Sequence, residues 1–261
     1  MKLPEGSEYV ALGSSYGAGP GLGARVPGSP RRAGRSTHNY AHLLSVRLGL
    51  RLTDVTYSGA TVAQILGIEP GATPEPQLDA VTPETRLVTL TGGGNDLGYI
   101  GALISASLPS LLRSVTGASR RLGELAQDDE LDKRASALGD NLLALVDAIR
   151  TRAPKATIAI TGYLALLPAE RSVSAHPLSA ESAELGRRYW DRVNLTLRQA
   201  SARAGALFVD VATPSAPHHA WSTDPWTERF VLLGGKAAAY HPTRAGMTAV
   251  ADAIEAALEN A

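Results

Sequence analysis

Cysteine is absent from all 261 residues, which excludes thiolate metal sites, disulfides, cysteine nucleophiles and thiol redox chemistry. Charge of one sign is missing as well. Twenty-five Lys and Arg residues balance 25 Asp and Glu, so no long-range field favours a polyanion and nucleic acid is not expected as a partner. The one basic run, Arg25 to Arg35, scatters Arg31, Arg32 and Arg35 among Gly, Pro and Ser and reads as a solvated loop rather than a phosphate site. His38, His42, His218 and His219 lack any metal-ligand spacing. Neither a Walker lysine nor a GxGxxG pattern accompanies the glycine-rich segments, so no metal and no organic cofactor is expected. Met1 to Ser7 hold no basic stretch leading into an apolar one, and neither a signal peptide nor a membrane span is visible. The expectation is a cytoplasmic protein or, alternatively, a secreted one whose leader has been removed.

Hydrophobic residues make up 44% of the chain, enough to bury a core across several layers without staples. No polar linker separates two complete hydrophobic patterns, and no internal repeat is evident, so one α/β domain spanning 1–261 is expected. Short β-branched runs alternate with stretches of helical period, the pattern of a parallel sheet covered by helices on both faces. Strands are expected at Tyr9 to Leu12, Leu52 to Tyr57, Leu87 to Thr91, Thr157 to Thr161 and Leu207 to Val211. Apolar residues three or four apart predict helices through Leu138, Leu142, Val146 and Ile149, through Met247, Val250, Ala251, Ile254 and Leu258, and from about Ala180 to Ala204. Ala18 to Ser36, Leu66 to Glu84 and Pro214 to Tyr240 lack this order. Function tends to sit on such segments, although the middle one, with Pro70, Pro74, Pro76 and Pro83, reads only as a rigid surface connection.

Three successive strands end in small residues. After the first comes Gly13-Ser14-Ser15-Tyr16-Gly17, after the second Ser58-Gly59-Ala60-Thr61, and after the third Gly92-Gly93-Gly94-Asn95-Asp96. Ligands and reacting groups collect at the carboxyl edge of a parallel sheet. Glycines there let a ligand approach free backbone N–H groups, and an asparagine amide adds an uncharged donor, together the equipment of an oxyanion hole. Ser14 as a helix N-cap and Asp96 capping the next helix are the plain structural alternatives. Tyr240-His241-Pro242 precedes the last amphipathic stretch. With Pro242 in the first helical turn, His241 is left just outside, free to face the same edge as a general base.

These four segments, in this order, resemble the sequence blocks of the SGNH hydrolases, also called GDSL esterases and lipases. Gly13-Ser14-Ser15 is similar to the first block, Gly59 to the second-block glycine, Gly93-Gly94-Asn95-Asp96 to the third block and His241 to the last-block histidine. Arg35-Ser36-Thr37-His38-Asn39-Tyr40 and Pro217-His218-His219-Ala220-Trp221 also resemble segments of one esterase branch, so the likeness covers nearly the whole chain.

The resemblance implies a flavodoxin-like three-layer α/β/α sandwich and a carboxylic ester hydrolase acting on small or medium acyl esters. In that scheme Ser15 is the nucleophile of an acyl-enzyme and His241 its base. The backbone N–H groups of Ser15 and Gly59, with the Asn95 side chain, hold the oxyanion. Two positions depart from the family pattern: Ser14 stands where an aspartate is usual, and Ala238 where an aspartate precedes the histidine by three residues. Members of the family with a Ser-His dyad use a main-chain carbonyl instead, and the carbonyl of Ala238 is the expected partner of His241, with Asp210 and Asp224 as weaker alternatives. An acyltransferase using the same site and a non-catalytic carbohydrate- or acyl-binding relative remain the rival functions. Acyl-pocket shape is expected to depend on Ala18 to Ser36 and Leu97 to Ser119. Ile100 to Leu112 reads as a buried helix or, alternatively, the border of an acyl groove. Trp221, Trp226 and Phe230 read as a loop over the site or as a plain aromatic-anchored surface loop.

Overall fold

The computed structural model describes residues 3–71, 75–109, 127–231 and 237–261. Five strands, β1 (Glu8–Gly13), β2 (Arg51–Asp54), β3 (Thr85–Thr91), β4 (Thr157–Thr161) and β5 (Leu207–Val209), form one parallel sheet in the order β2-β1-β3-β4-β5. Strand residues alternate between two apolar layers. Val10, Leu12, Val88, Leu90, Ile158 and Ile160 join one cluster, and Tyr9, Ala11, Leu87, Ala159 and Val209 the other. Both faces are thus covered, as a parallel sheet requires. This is the flavodoxin-like three-layer architecture expected from the sequence.

The helices are α1 (Ser15–Ala18), α2 (Tyr40–Leu48), α3 (Val62–Leu66), α4 (Gly94–Leu97), α5 (Tyr99–Ser107), α6 (Asp128–Arg152), α7 (Ala180–Ala204), α8 (Ala212–Ser215) and α9 (Arg244–Glu259). On the first face α6 buries Leu138, Leu142 and Ile149, and α7 buries Tyr189, Val193 and Leu197. On the second, α2 and α9 bury Tyr40, Leu44, Met247, Val250 and Ile254. The long α7 has both terminal signals. The Ser179 side chain accepts from the Ser182 N–H at its start, and Gly205 at φ 62 closes its end.

Several expected boundaries move. β2 ends at Asp54, whose carboxylate accepts from the N–H and hydroxyl of Thr56, while the N–H groups of Val55 and Tyr57 still donate to the Ala11 and Gly13 carbonyls of β1. β5 stops at Val209 because Asp210 accepts from the N–H groups of Ala212 and Thr213. Pro242 lies before the last helix rather than in its first turn: Thr243 is the N-cap of α9, and its hydroxyl accepts from the Gly246 N–H. The segment from Leu66 to Glu84 is more than a surface connection, since Gln77 and Leu78 are buried in a 3-10 turn. Ile100 and Leu103 are buried in α5, while Leu111 and Leu112 lie outside the described residues, as does most of the Leu97 to Ser119 segment after position 109. No helix among the described residues is long and apolar enough to cross a membrane.

Candidate active site

β1 and β3 stay paired to their last residues, Gly13 and Thr91, but their onward connections run to opposite faces, so the chain parts beyond the strand ends and leaves a crevice, the switch point at which α/β sheets bind ligands. Gly13 ends β1 at φ 150, and a Cβ there would come within 2.5 Å of the Thr91 carbonyl oxygen, so only glycine lets the two strand ends run this close. The Gln77 side chain secures this backbone from the other side. Its Oε1 accepts from the Gly13 N–H at 2.8 Å and its Nε2 donates to the Gly13 carbonyl at 2.9 Å. Ser14 occupies the N-cap position of α1 but makes no capping bond. Its hydroxyl instead reaches the Thr91 carbonyl at 3.4 Å and the Tyr163 hydroxyl.

Ser15 opens α1, and its Oγ lies 2.7 Å from Nε2 of His241, across 226 residues of sequence. The other ring nitrogen, Nδ1, lies 2.7 Å from the carbonyl oxygen of Ala239. A carbonyl can only accept, so Nδ1 carries the proton, and the neutral ring presents the Nε2 lone pair to the serine hydroxyl. The expected carbonyl of Ala238 is not the one used. It accepts from the His241 backbone N–H at 3.1 Å, closing a turn that aims the next carbonyl, that of Ala239, at the ring. Asp210 is committed to Arg198 and Thr213, and Asp224 to His218, so neither weaker alternative reaches His241. Burial pushes the His241 imidazole below its ordinary value, and the bond to Ala239 partly opposes that shift.

The neighbouring loops present donors. Gly59, at φ 88, adopts a backbone that favours glycine. The N–H groups of Ser15 and Gly59 have no acceptor among the described residues. Asn95 donates one amide hydrogen to the Ala60 carbonyl at 2.9 Å, which fixes the amide plane and leaves its second hydrogen for a ligand. Asp96 does not cap the helix that follows it. Both its oxygens accept from the Val62 N–H, at 2.9 and 3.2 Å, so it caps α3 beyond the Gly59 loop. Burial raises its carboxyl to about 6. The Tyr163 hydroxyl accepts from the Gly94 N–H at 2.8 Å, and its ring packs 4.5 Å from that of Tyr16. Tyr163 thereby ties the first and third segments together.

Two tyrosines beside the Ser15–His241 contact carried no distinguishing signal in the sequence. The Tyr16 hydroxyl donates to the Tyr240 carbonyl at 2.7 Å, and the Tyr240 hydroxyl pairs with Ser107 at 2.6 Å. Tyr240 sits at φ 62, the one non-glycine positive φ among the described residues, a conformation that costs about 1–2 kcal/mol for such a residue. The rings of Trp221 and Phe230 lie 6.4 and 6.2 Å from that of Tyr240, the residue before His241, whereas Trp226 stacks on His218. A groove of about 910 Å³ runs beside this loop, lined among others by Leu22, Trp221, Arg229 and Arg244. Among the described residues, no group of three or more His, Asp or Glu side chains could hold a metal ion.

A parallel α/β sandwich with a serine and a histidine in contact at its β1/β3 crevice, beside unpaired N–H donors, is the framework of a serine hydrolase. The chain belongs to the GDSL-like lipase/acylhydrolase family, whose model matches residues 11–249, and is a carboxylic ester hydrolase. It is 35% identical over 257 residues to Lipase 2 of Streptomyces coelicolor, covering 94% of this chain and 83% of that one. Among solved structures, an extracellular lipase from Streptomyces rimosus superposes with a TM-score of 0.72 at 27% identity, covering 96% of this chain and 99% of the other. Phospholipase A1 from Streptomyces albidoflavus shares the fold with a TM-score of 0.79 at 24% identity, with the same coverage.

Proposed function

We propose that this chain is a serine esterase that hydrolyses small or medium acyl esters through an acyl-enzyme on Ser15, with His241 as general base. The 2.7 Å contact between Ser15 Oγ and His241 Nε2 carries this reading. His241 takes the hydroxyl proton as Ser15 attacks the ester carbonyl, then returns it to the departing alcohol. Water activated by the same ring releases the acid. The developing oxyanion is held by the N–H groups of Ser15 and Gly59 and by the free amide hydrogen of Asn95, at about 3 to 4 kcal/mol per donor. No carboxylate is needed to set the tautomer, because the Ala239 carbonyl already does so. Neither a metal nor an organic cofactor takes part, and the chain acts as one domain. The Streptomyces rimosus relative is an extracellular lipase, which favours the secreted alternative over a cytoplasmic one.

A chain-length series of p-nitrophenyl esters on the wild type, Ser15→Ala and His241→Ala tests the assignment, with fluorophosphonate labelling in parallel. Turnover and labelling are expected in the wild type and are expected to fall by at least 10³-fold in either variant, with little further loss in the double variant because the two residues act as a unit. Full labelling of Ser15→Ala would assign the nucleophile elsewhere. Adding an alcohol acceptor to the same assay separates hydrolysis from acyl transfer by product.

A further inference from the structure

We infer that Tyr16 is a positioning residue for the dyad: by holding the Tyr240 carbonyl, its hydroxyl keeps the Ala239 carbonyl on His241 Nδ1 and so supplies the orientation that a third-residue carboxylate would otherwise give. This inference rests on the Ser15–His241 reading above.

The geometry is that of a four-residue turn. The His241 N–H bonds the Ala238 carbonyl at 3.1 Å, which makes Ala239 and Tyr240 the two central residues, and Tyr240 at φ 62 has the positive φ that a type II turn demands at its third position. In such a turn the sign of that φ decides which way the central peptide faces. If Tyr240 relaxed to negative φ, the peptide would flip and the Ala239 oxygen would swing to the opposite side of the turn, away from the imidazole. Glycine or asparagine usually fills this position, yet here it holds a fully buried tyrosine.

What keeps the disfavoured form is a set of bonds on every polar atom of Tyr240. Its N–H donates to the Glu228 carbonyl at 2.9 Å, its hydroxyl pairs with Ser107 at 2.6 Å, and its carbonyl accepts from Tyr16 at 2.7 Å. The last bond is specific to the reaction centre. Ser15 and Tyr16 are consecutive, as are Tyr240 and His241, so the nucleophile–base contact and the tyrosine clamp form two adjacent rungs between α1 and the turn. The Tyr16 ring also lies 5.4 Å from the imidazole. Among the described residues, Ser15 Oγ and the Ala239 carbonyl are the hydrogen-bond partners of that ring, and no carboxylate forms an ion pair with His241.

Tyr16→Phe removes the hydroxyl and keeps the ring against Tyr163. The expected result is a 10- to 100-fold fall in kcat for a p-nitrophenyl ester with KM within twofold, and an equal fall in the rate of fluorophosphonate labelling. The acid limb of kcat/KM should move to lower pH, because the imidazolium loses the bond from Nδ1 to Ala239 while the site stays dry. Ser107→Ala cuts the other end of Tyr240 and should move both quantities in the same directions by a smaller factor, which keeps the test available if Tyr16→Phe does not fold. Wild-type kcat and pH limb in Tyr16→Phe would overturn the clamp. So would a loss of rate with the limb rising toward an ordinary histidine value, which marks loosening and hydration instead. Activity persisting in Ser15→Ala or His241→Ala would instead overturn the dyad itself, a separate outcome.

Discussion

The imidazole of His241 is buried, and the loss of water around its charged form holds its pKa below the ordinary 6.5. A general base must be neutral to act, and burial favours the neutral ring. The acid limb of kcat/KM in the free enzyme is therefore expected to have its midpoint below 6.5, and a pH series on a soluble p-nitrophenyl ester measures it. A midpoint above that value would require a nearby negative charge, and the position of Ala238 offers none. Ala238→Asp would place a carboxylate at the position the family pattern uses. At this scale the sequence told less than at any other. Ser15, Gly59, Asn95 and His241 were marked by the resemblance of their four segments to the family's sequence blocks. The choice between the carbonyls of Ala238 and Ala239 was not, because three consecutive alanines carry no side-chain signal and the answer depends on one backbone torsion at Tyr240. Gln77 was hidden for a related reason: a neutral amide among prolines has no periodicity to betray its burial.

Short elements at the sheet edge owe their shape to side chains from other segments. The five residues of α3 are too few to hold a helix alone, and they are capped twice at one end. Thr61 and Gln64 form a reciprocal capping box, and Asp96 accepts from the Val62 N–H. That last contact has a pH signature. The carboxyl titrates at about 6 in the fold against an ordinary 3.8, so between those values the folded chain keeps a proton that the unfolded chain has released. Stability contributed by this group thus falls as pH rises through that window, and the full penalty, on the order of 3 kcal/mol, is present above it. Asp96→Asn keeps an acceptor for Val62 but cannot titrate. Urea unfolding at pH 4 and pH 7 should show the variant gaining on the wild type by on the order of 2 to 3 kcal/mol between the two. A constant difference would mean that Asp96 is ionised throughout. The longer elements were easier to anticipate. The run at Thr157–Thr161 is rich in β-branched residues and follows the Pro154-Lys155 turn, and α7 carries a serine cap, a terminal glycine and an inner stripe of Tyr189, Val193 and Leu197. β2 and β5 came out shorter than expected, each ending beside an aspartate, Asp54 or Asp210, whose carboxylate accepts from N–H groups just after it in a local turn.

Across the whole molecule, two kinds of contact join α6 to α7, and they differ in energetic weight. Their outer faces are laced by ion pairs, Arg188 with Asp128 and Arg192 with Asp132, whose side chains are well exposed. Water screens such pairs, and each contributes under about 1 kcal/mol. Beneath them Leu142 is fully buried in the layer that covers β1, β3 and β4. Truncating it removes apolar contact and leaves a cavity, at a cost of about 2–5 kcal/mol. Arg192→Ala is therefore expected to shift the urea midpoint slightly, and by less still in 1 M salt, while Leu142→Ala lowers it several-fold more with no salt dependence. Neither residue touches the crevice, so kcat at temperatures where both variants stay folded should match the wild type. The comparison separates stability from catalysis in a fold whose proposed nucleophile and base, Ser15 and His241, come from opposite ends of the chain. If Leu142→Ala lowered kcat in the folded state as well, the helix layer would have to transmit its packing to the β1 and β3 loops, and the sheet edge could not be treated as a rigid support for the dyad.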